Sequence, residues 1–213
     1  MKKPGWLAVV FFLMLAVAGA EQGFKDGPQV VYPRGGDSGD GRTGFGWQVA
    51  YAWSPYFSAE LALARHKDRV DEQRELPVPS SAFELEAVSL ALSARVGYPV
   101  GPLRLYGAGG FGYYFLRGDA GDINRWTPAD MRVGIDLENV WGYHAALGAE
   151  WRLNPRWELF AEYRWVYLDS DLTYRVTTSR LGADGVMQRG TQRITDDFPY
   201  DHGLIRAGVN YCF

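Results

Sequence analysis

The stretch from Val140 to Tyr167 constrains this chain more than any other. It reads VWGYHAALGAEWRL, then NPR, then WELFAEYRWVY. In the first arm Trp141, Tyr143, Ala145, Leu147, Ala149, Trp151 and Leu153 share one parity. Gly142, His144, Ala146, Gly148, Glu150 and Arg152 hold the other. A period of two is a strand with one apolar face and one small-or-charged face. Asn154-Pro155-Arg156 turns the chain. In the second arm Trp157, Leu159, Ala161, Tyr163, Trp165 and Tyr167 alternate with Glu158, Phe160, Glu162, Arg164 and Val166. The apolar face carries Trp or Tyr near both ends and smaller residues between, as a strand crossing a bilayer does. Each arm also has the roughly 9–11 residues that a tilted transmembrane strand needs. The competing reading is a hairpin of a soluble sandwich, whose inward face would be aliphatic.

The ends of the chain bear on that choice. Lys2 and Lys3, the apolar run Trp6 to Ala18 and the small residues Ala18-Gly19-Ala20 predict a secretory signal over residues 1–20, with the mature domain over 21–213. A retained helical anchor fits less well, because the apolar core is short and a cleavage-like site follows it. Losing two lysines would take the net charge from −3 to −5 (−3 − 2), which does not suggest nucleic acid as a partner. Beyond the N-terminus there is no apolar run of about 18 residues, so no other helix is expected to span. The aromatic share of 15% and the 26 glycines suit alternating strands and tight turns. The single cysteine, Cys212, forms no internal disulfide, and no Cys/His spacing of a metal site exists. No metal or other cofactor is expected.

The same alternation recurs along the chain. Phe45, Trp47, Val49, Tyr51 and Trp53 predict one strand, and Ala59, Leu61 and Leu63 face outward on the next. A long strand follows from about Phe83 to Tyr98, then another from Leu103 to Arg117. Gly203 to Phe213 is the last. Gln29 to Tyr32 marks a short first strand, and the sequence leaves open whether residues 24–33 complete the barrel or hang free. The count is eight. Turns at 54–57, 99–102 and 154–156 are short, while 34–43, 71–82, 118–136 and 177–200 read as long polar loops. A sandwich has no reason to sort its loops this way. The expected fold is an all-β, eight-stranded, antiparallel up-and-down transmembrane barrel.

At this point TGFGWQVAYAWSPYFSAELALA, LYGAGGFGYYF and GYHAALGAEWRLNPRWELFAEYRWVYLDSDL carry a resemblance. They look like the small eight-stranded outer-membrane barrels, the OmpA-like transmembrane domain and the OmpW/OmpX-like group, over about residues 43–213. Asp26, Gly27 and Pro28 depart from the cleaner alternation of those families. The resemblance implies a bacterial outer-membrane protein, monomeric, surrounded by outer-membrane lipid and lipopolysaccharide. Val209, Tyr211 and Phe213 at the C-terminus resemble the signal read by the barrel-assembly machinery. The loops after residues 117 and 176 are the expected contact surfaces for an extracellular ligand.

The inward parity collects Glu60, Glu150, Glu158 and Glu162 against Arg95, Arg104, Arg152, Arg164 and Arg206. Eight strands leave an interior just wide enough for side chains. Charges in that space need partners, so a salt-bridged lumen is expected. The alternative is a narrow OmpW-like passage for small or apolar solutes. On the outside Arg65, Lys67 and Arg69 form a basic row at the loop end, beside Glu84 and Glu86. The row reads either as cross-strand ion pairing or as a contact for lipopolysaccharide phosphates. Asp169, Asp171, Asp196, Asp197, His66 and His202 lie toward the same rim and contain the elements of an acid/base pair. No nucleophile motif accompanies them, and no catalytic residue is assigned. His144 reads as a member of the lumen network.

Overall fold

In the computed structural model, residues 23–34, 42–71, 82–120, 124, 128, 130–181 and 187–213 are described. Among the described residues eleven strands run in chain order: β1 Phe24–Arg34, β2 Arg42–Ala52, β3 Phe57–Asp71, β4 Ala82–Val100, β5 Leu103–Asp119, β6 Met131–Leu137, β7 Val140–Arg152, β8 Trp157–Tyr167, β9 Asp169–Leu181, β10 Met187–Pro199 and β11 His202–Cys212. Eight of them close a barrel in the order β1-β11-β8-β7-β5-β4-β3-β2. Every pairing in it is antiparallel. The expected signal segment, residues 1–20, lies outside the described residues.

The alternation sets which side chains face the bore. Along β8 Glu158, Phe160, Glu162, Arg164 and Val166 are buried, while Trp157, Leu159, Trp165 and Tyr167 are exposed. The exposed apolar residues form a continuous band around the outside, with Trp53, Tyr98, Trp151 and Trp157 near the short-turn end and Trp141, Tyr143, Trp165 and Tyr167 near the other. An apolar band with aromatic residues at both edges is the surface that a barrel presents to lipid. β1 closes the ring despite its irregular sequence. It runs against β2 on one side and β11 on the other, and its inward residues are Lys25, Gly27, Gln29, Val31 and Pro33. Gly27 is required by closeness: a Cβ there would overlap the Val209 carbonyl oxygen on β11.

Two of the segments expected to be polar loops contain strands instead. Residues 118–136 include most of β6, and 177–200 include part of β9 and all of β10. They form a separate sheet in the order β10-β9-β6. The stretch through Asp169, Asp171 and Tyr174 is likewise not a continuation of β8 in the barrel wall, because the chain changes sheet at Leu168. The three strands prolong three adjacent barrel strands. β6 leads into β7 across Glu138-Asn139, β8 leads into β9 across Leu168, and β10 leads into β11 across Tyr200-Asp201. The joints are bonded. Glu138 N–H donates to Asp171 O at 3.2 Å, and Tyr200 N–H donates to Leu168 O at 3.0 Å. The Leu116 N–H donates to Asn139 Oδ1 at 3.1 Å. The sheet buries Val133, Ile135, Leu172, Tyr174 and Phe198 in one apolar cluster with Phe83, Leu85 and Leu116 at the long-loop ends of β4 and β5.

Candidate functional site

The bore is the site, and its centre is ionic. Glu60 comes from β3 and Glu162 from β8, which stand opposite each other in the ring. Arg206 of β11 spans them: its Nη1 lies 2.6 Å from Glu162 Oε1 and 3.1 Å from Glu60 Oε1. Arg164 spans them too, at 2.9 Å to each. Arg95 of β4 pairs with Glu60 and reaches Glu162 at 3.4 Å. None of these five side chains is more than 4% exposed. Neutral groups complete the layer. Arg206 donates from Nε to Gln29 at 2.7 Å and from Nη2 to Gln48 at 3.0 Å. The Tyr106 hydroxyl donates to Glu162 at 3.1 Å, and its ring lies 4.5 Å under the Arg95 guanidinium. Buried charges survive only when paired and hydrogen-bonded in this way.

A second ionic tier lies nearer the short turns. Lys25 of β1 is 2.6 Å from Glu150 and 2.5 Å from Glu158. Arg95 and Arg104 reach Glu150 at 2.9 and 2.8 Å. Asn210 donates to Glu158 at 3.1 Å and accepts from Gln48 at 2.8 Å, which ties this tier to the first. Lys25 belongs to the network although the sequence reading omitted it. Arg152 does not belong to it as expected. It is the last residue of β7, where the wall ends, and its side chain is exposed. It lines a recess of about 470 Å³ at the short-turn mouth together with Arg104, Glu150 and Glu158. His144 sits inside and shares a 2.8 Å hydrogen bond with Ser93.

Toward the long-loop end the bore becomes apolar. Val31, Tyr114, Val166 and Leu204 are buried there, and the cluster runs without interruption into the three-stranded sheet. Side chains again meet across the ring. Phe198 of β10, the strand that leads into β11, lies 6.1 Å from the ring of Phe83 on β4, the barrel strand opposite β11. His66 on β3 and His202 on β11 are 5.6 Å apart between ring centroids, and Tyr200 stacks on His202 at 4.3 Å. Beyond the apolar outer band, the Tyr200 hydroxyl donates to Asp68 at 2.6 Å. Burial pushes the Asp68 carboxyl up from its usual range, partly offset by that bond. Burial and the neighbouring carboxylate push the Tyr200 hydroxyl up as well. His66 and His202 therefore come together, with Asp68 reached through Tyr200; of the acids expected at that rim, Asp169, Asp171 and Asp197 are exposed, as is Asp201, whereas His202 is buried.

On the outside, Arg65 pairs with Glu86 at 2.8 Å, Lys67 pairs with Glu84, and Arg42 approaches Glu84 at 3.5 Å. The bond to Lys67 holds the Glu84 carboxyl below its usual range. Arg69 faces Glu84 across β3 and β4. At the C-terminus Tyr211 packs edge-on to Trp157 at 5.2 Å and Phe213 lies 5.4 Å from Phe24, while Val209 is half-buried on the same outward parity.

This geometry, an eight-stranded closed ring with an apolar outside and a charged inside, agrees with the comparisons. Residues 6–213 match the outer membrane protein beta-barrel domain family. The chain belongs to that family. It is accordingly a protein of the bacterial outer membrane, and by the usual asymmetry of such barrels its short turns face the periplasm. No curated protein matches it. Among solved structures, the outer membrane protein OprG from Pseudomonas aeruginosa is similar with a TM-score of 0.68 at 16% identity, over 90% of this chain and 96% of that one. A major outer membrane protein from Thermus thermophilus gives 0.58 at 16% identity, over 90% and 99%. The outer membrane protein AlkL gives 0.54 at 16% identity, over 90% of each chain. These likenesses speak for the barrel fold of the family.

Proposed function

We propose that this outer-membrane barrel is a structural and surface-presenting element whose lumen is held shut, and that it has no enzymatic role. The observation that carries this reading is contact across the bore at two separate levels, between opposite barrel strands at the waist and between the extracellular sheet and β4 above it. Arg206 and Arg164 tie β3 to β8 at the waist, and Phe198 meets Phe83 over the extracellular mouth. A solute crossing such a bore would have to part buried ion pairs and then an apolar core. Glu60, Arg95, Arg104, Glu150, Glu158, Glu162, Arg164 and Arg206 would act as the closing network, with Lys25 added. The extracellular sheet would be the surface offered to an external ligand. Val209, Tyr211 and Phe213 would serve the barrel-assembly machinery, and the barrel would act as a monomer. Arg65, Lys67 and Arg69 would meet phosphates of lipopolysaccharide.

One observation favours a second reading, a narrow passage for apolar solutes: above the ionic waist Val31, Tyr114, Val166 and Leu204 line the bore. Swelling of liposomes carrying the refolded protein separates the two. The closed reading expects no swelling with small sugars or amino acids and no accelerated uptake of a fluorescent apolar probe. Uptake of the probe with exclusion of sugars would favour the passage.

A further inference from the structure

A groove of about 420 Å³ lies on the lipid-facing side of β3, β4, β5 and β7. Leu61, Leu90 and Leu92 line it together with Phe111, Tyr113, Phe115 and Trp141. The aromatic wall is tightly built: Tyr113 sits 4.9 Å from Phe115 and 5.2 Å from Trp141. The strand registers place charge directly above it. Leu63, Leu90 and Tyr113 lie side by side, and one step outward come Arg65, Val88 and Phe115. The next step brings Lys67, Glu86 and Arg117. Arg42 joins this patch through Glu84. Five cations, Arg42, Arg65, Lys67, Arg69 and Arg117, thus lie on this face with three carboxylates, Glu84, Glu86 and Asp119. Arg42 and Arg65 keep side-chain exposures of 72% and 64%.

We infer that this face is a binding site for one phosphorylated, multi-acyl glycolipid of the outer leaflet, of the lipid A type. The inference rests on the reading of the basic row as a lipid contact, and it adds the groove and Arg117. The chemistry has two parts. An acyl chain fills the apolar groove in the upper half of the bilayer. The sugar phosphates lie one residue pair higher, where Arg65 and Arg117 flank Glu86, and arginine offers a planar fork that suits phosphate. The excess of cations over carboxylates makes the patch attractive to a diphosphorylated headgroup. A groove without the charged row would take any acyl chain, and the row without a groove would take any anion. Their stacking within a single face selects a lipid that has both.

The test is native mass spectrometry of the refolded full chain in detergent, titrated with hexa-acyl diphosphoryl lipid A, with its dephosphorylated form and with dioleoyl phosphatidylglycerol. Two variants are compared with the parent: Arg65→Gln/Arg117→Gln, and Leu90→Trp, which fills the groove. Heat-modifiable gel migration checks that each has folded. The double variant should weaken diphosphoryl lipid A on the order of 25-fold, about fivefold per cation, and should leave the dephosphorylated form unchanged. Leu90→Trp should weaken both glycolipids. If the charge variant acts and the groove variant does not, the site is overturned while the basic row keeps its lipid contact. If neither acts, or if phosphatidylglycerol binds the parent as tightly as diphosphoryl lipid A, both readings fall.

Discussion

The two halves of the bore are closed by opposite chemistry. The waist is held by Arg95, Arg164 and Arg206 against Glu60 and Glu162, all nearly inaccessible to solvent. The extracellular half is held by Phe83, Leu85, Leu116, Leu172, Tyr174 and Phe198, a core like that of a soluble domain. The difference follows from what surrounds each. At membrane depth the outside of the wall is apolar, so the apolar residues of each strand are spent on lipid and the polar parity is turned inward. Once the chain rises above the lipid, water is outside, and β6, β9 and β10 can turn their apolar residues toward the protein. Along β9, Leu172 and Tyr174 are buried while Asp171 and Asp169 are exposed, the reverse of the membrane-level pattern. The inversion occurs at Leu168, where β8 ends and β9 begins.

The comparison breaks most severely at Glu162. Glu162→Ala leaves three buried arginines with Glu60 as their remaining waist carboxylate and takes the acceptor from Tyr106. Removing one member of a buried ion cluster costs roughly 3–5 kcal/mol. Urea unfolding of the refolded protein in bilayers should show that loss, and an unchanged midpoint would mean that the waist is not closed as described.

A double change sharpens it. Glu60→Leu and Arg95→Leu should each be costly, yet the combined variant should lose less than the sum, by about 0.5–3 kcal/mol of coupling. Strict additivity in the same unfolding experiment would say the two do not depend on each other. At the other half, Phe198→Ala should cost roughly 3 kcal/mol of local stability by opening a cavity. The expected sign is faster proteolysis of the β9–β10 segment with the barrel's heat-modifiable migration retained. Loss of both together would mean that the extracellular sheet and the barrel are one cooperative unit. The smallest effect belongs to the outer rim. Arg65→Ala removes a half-exposed pair with Glu86 and should change the unfolding midpoint by less than about 1 kcal/mol.

What was legible in the sequence divides along the same line. Wherever lipid is on one side, hydropathy alternates with period two, and β2 to β5, β7, β8 and β11 could be read directly. β1 was harder, because Asp26, Gly27 and Pro28 break the apolar parity just where the strand is held by close approach to β11. That is also why Lys25 was missed: its inward parity is fixed by pairing with Cys212 and Ala50, which no local pattern reveals. Arg152 was placed by parity alone, and parity does not say where the wall ends. The extracellular sheet was read as loop because most residues of β10 are polar on both faces and exposed. Its Thr and Ile content was the available hint, and β9 offered Leu172, Tyr174 and Val176 in alternation.

Single-channel recording in planar bilayers tests the central claim, a bore closed at two levels, most directly. Refolded parent protein should insert and remain silent at moderate voltage. Glu162→Ala combined with Phe198→Ala, which loosens both closures, should give small flickering currents. Discrete, reproducible steps from the parent, unchanged by Glu162→Ala, would contradict the account and mean that the buried charges line an open path.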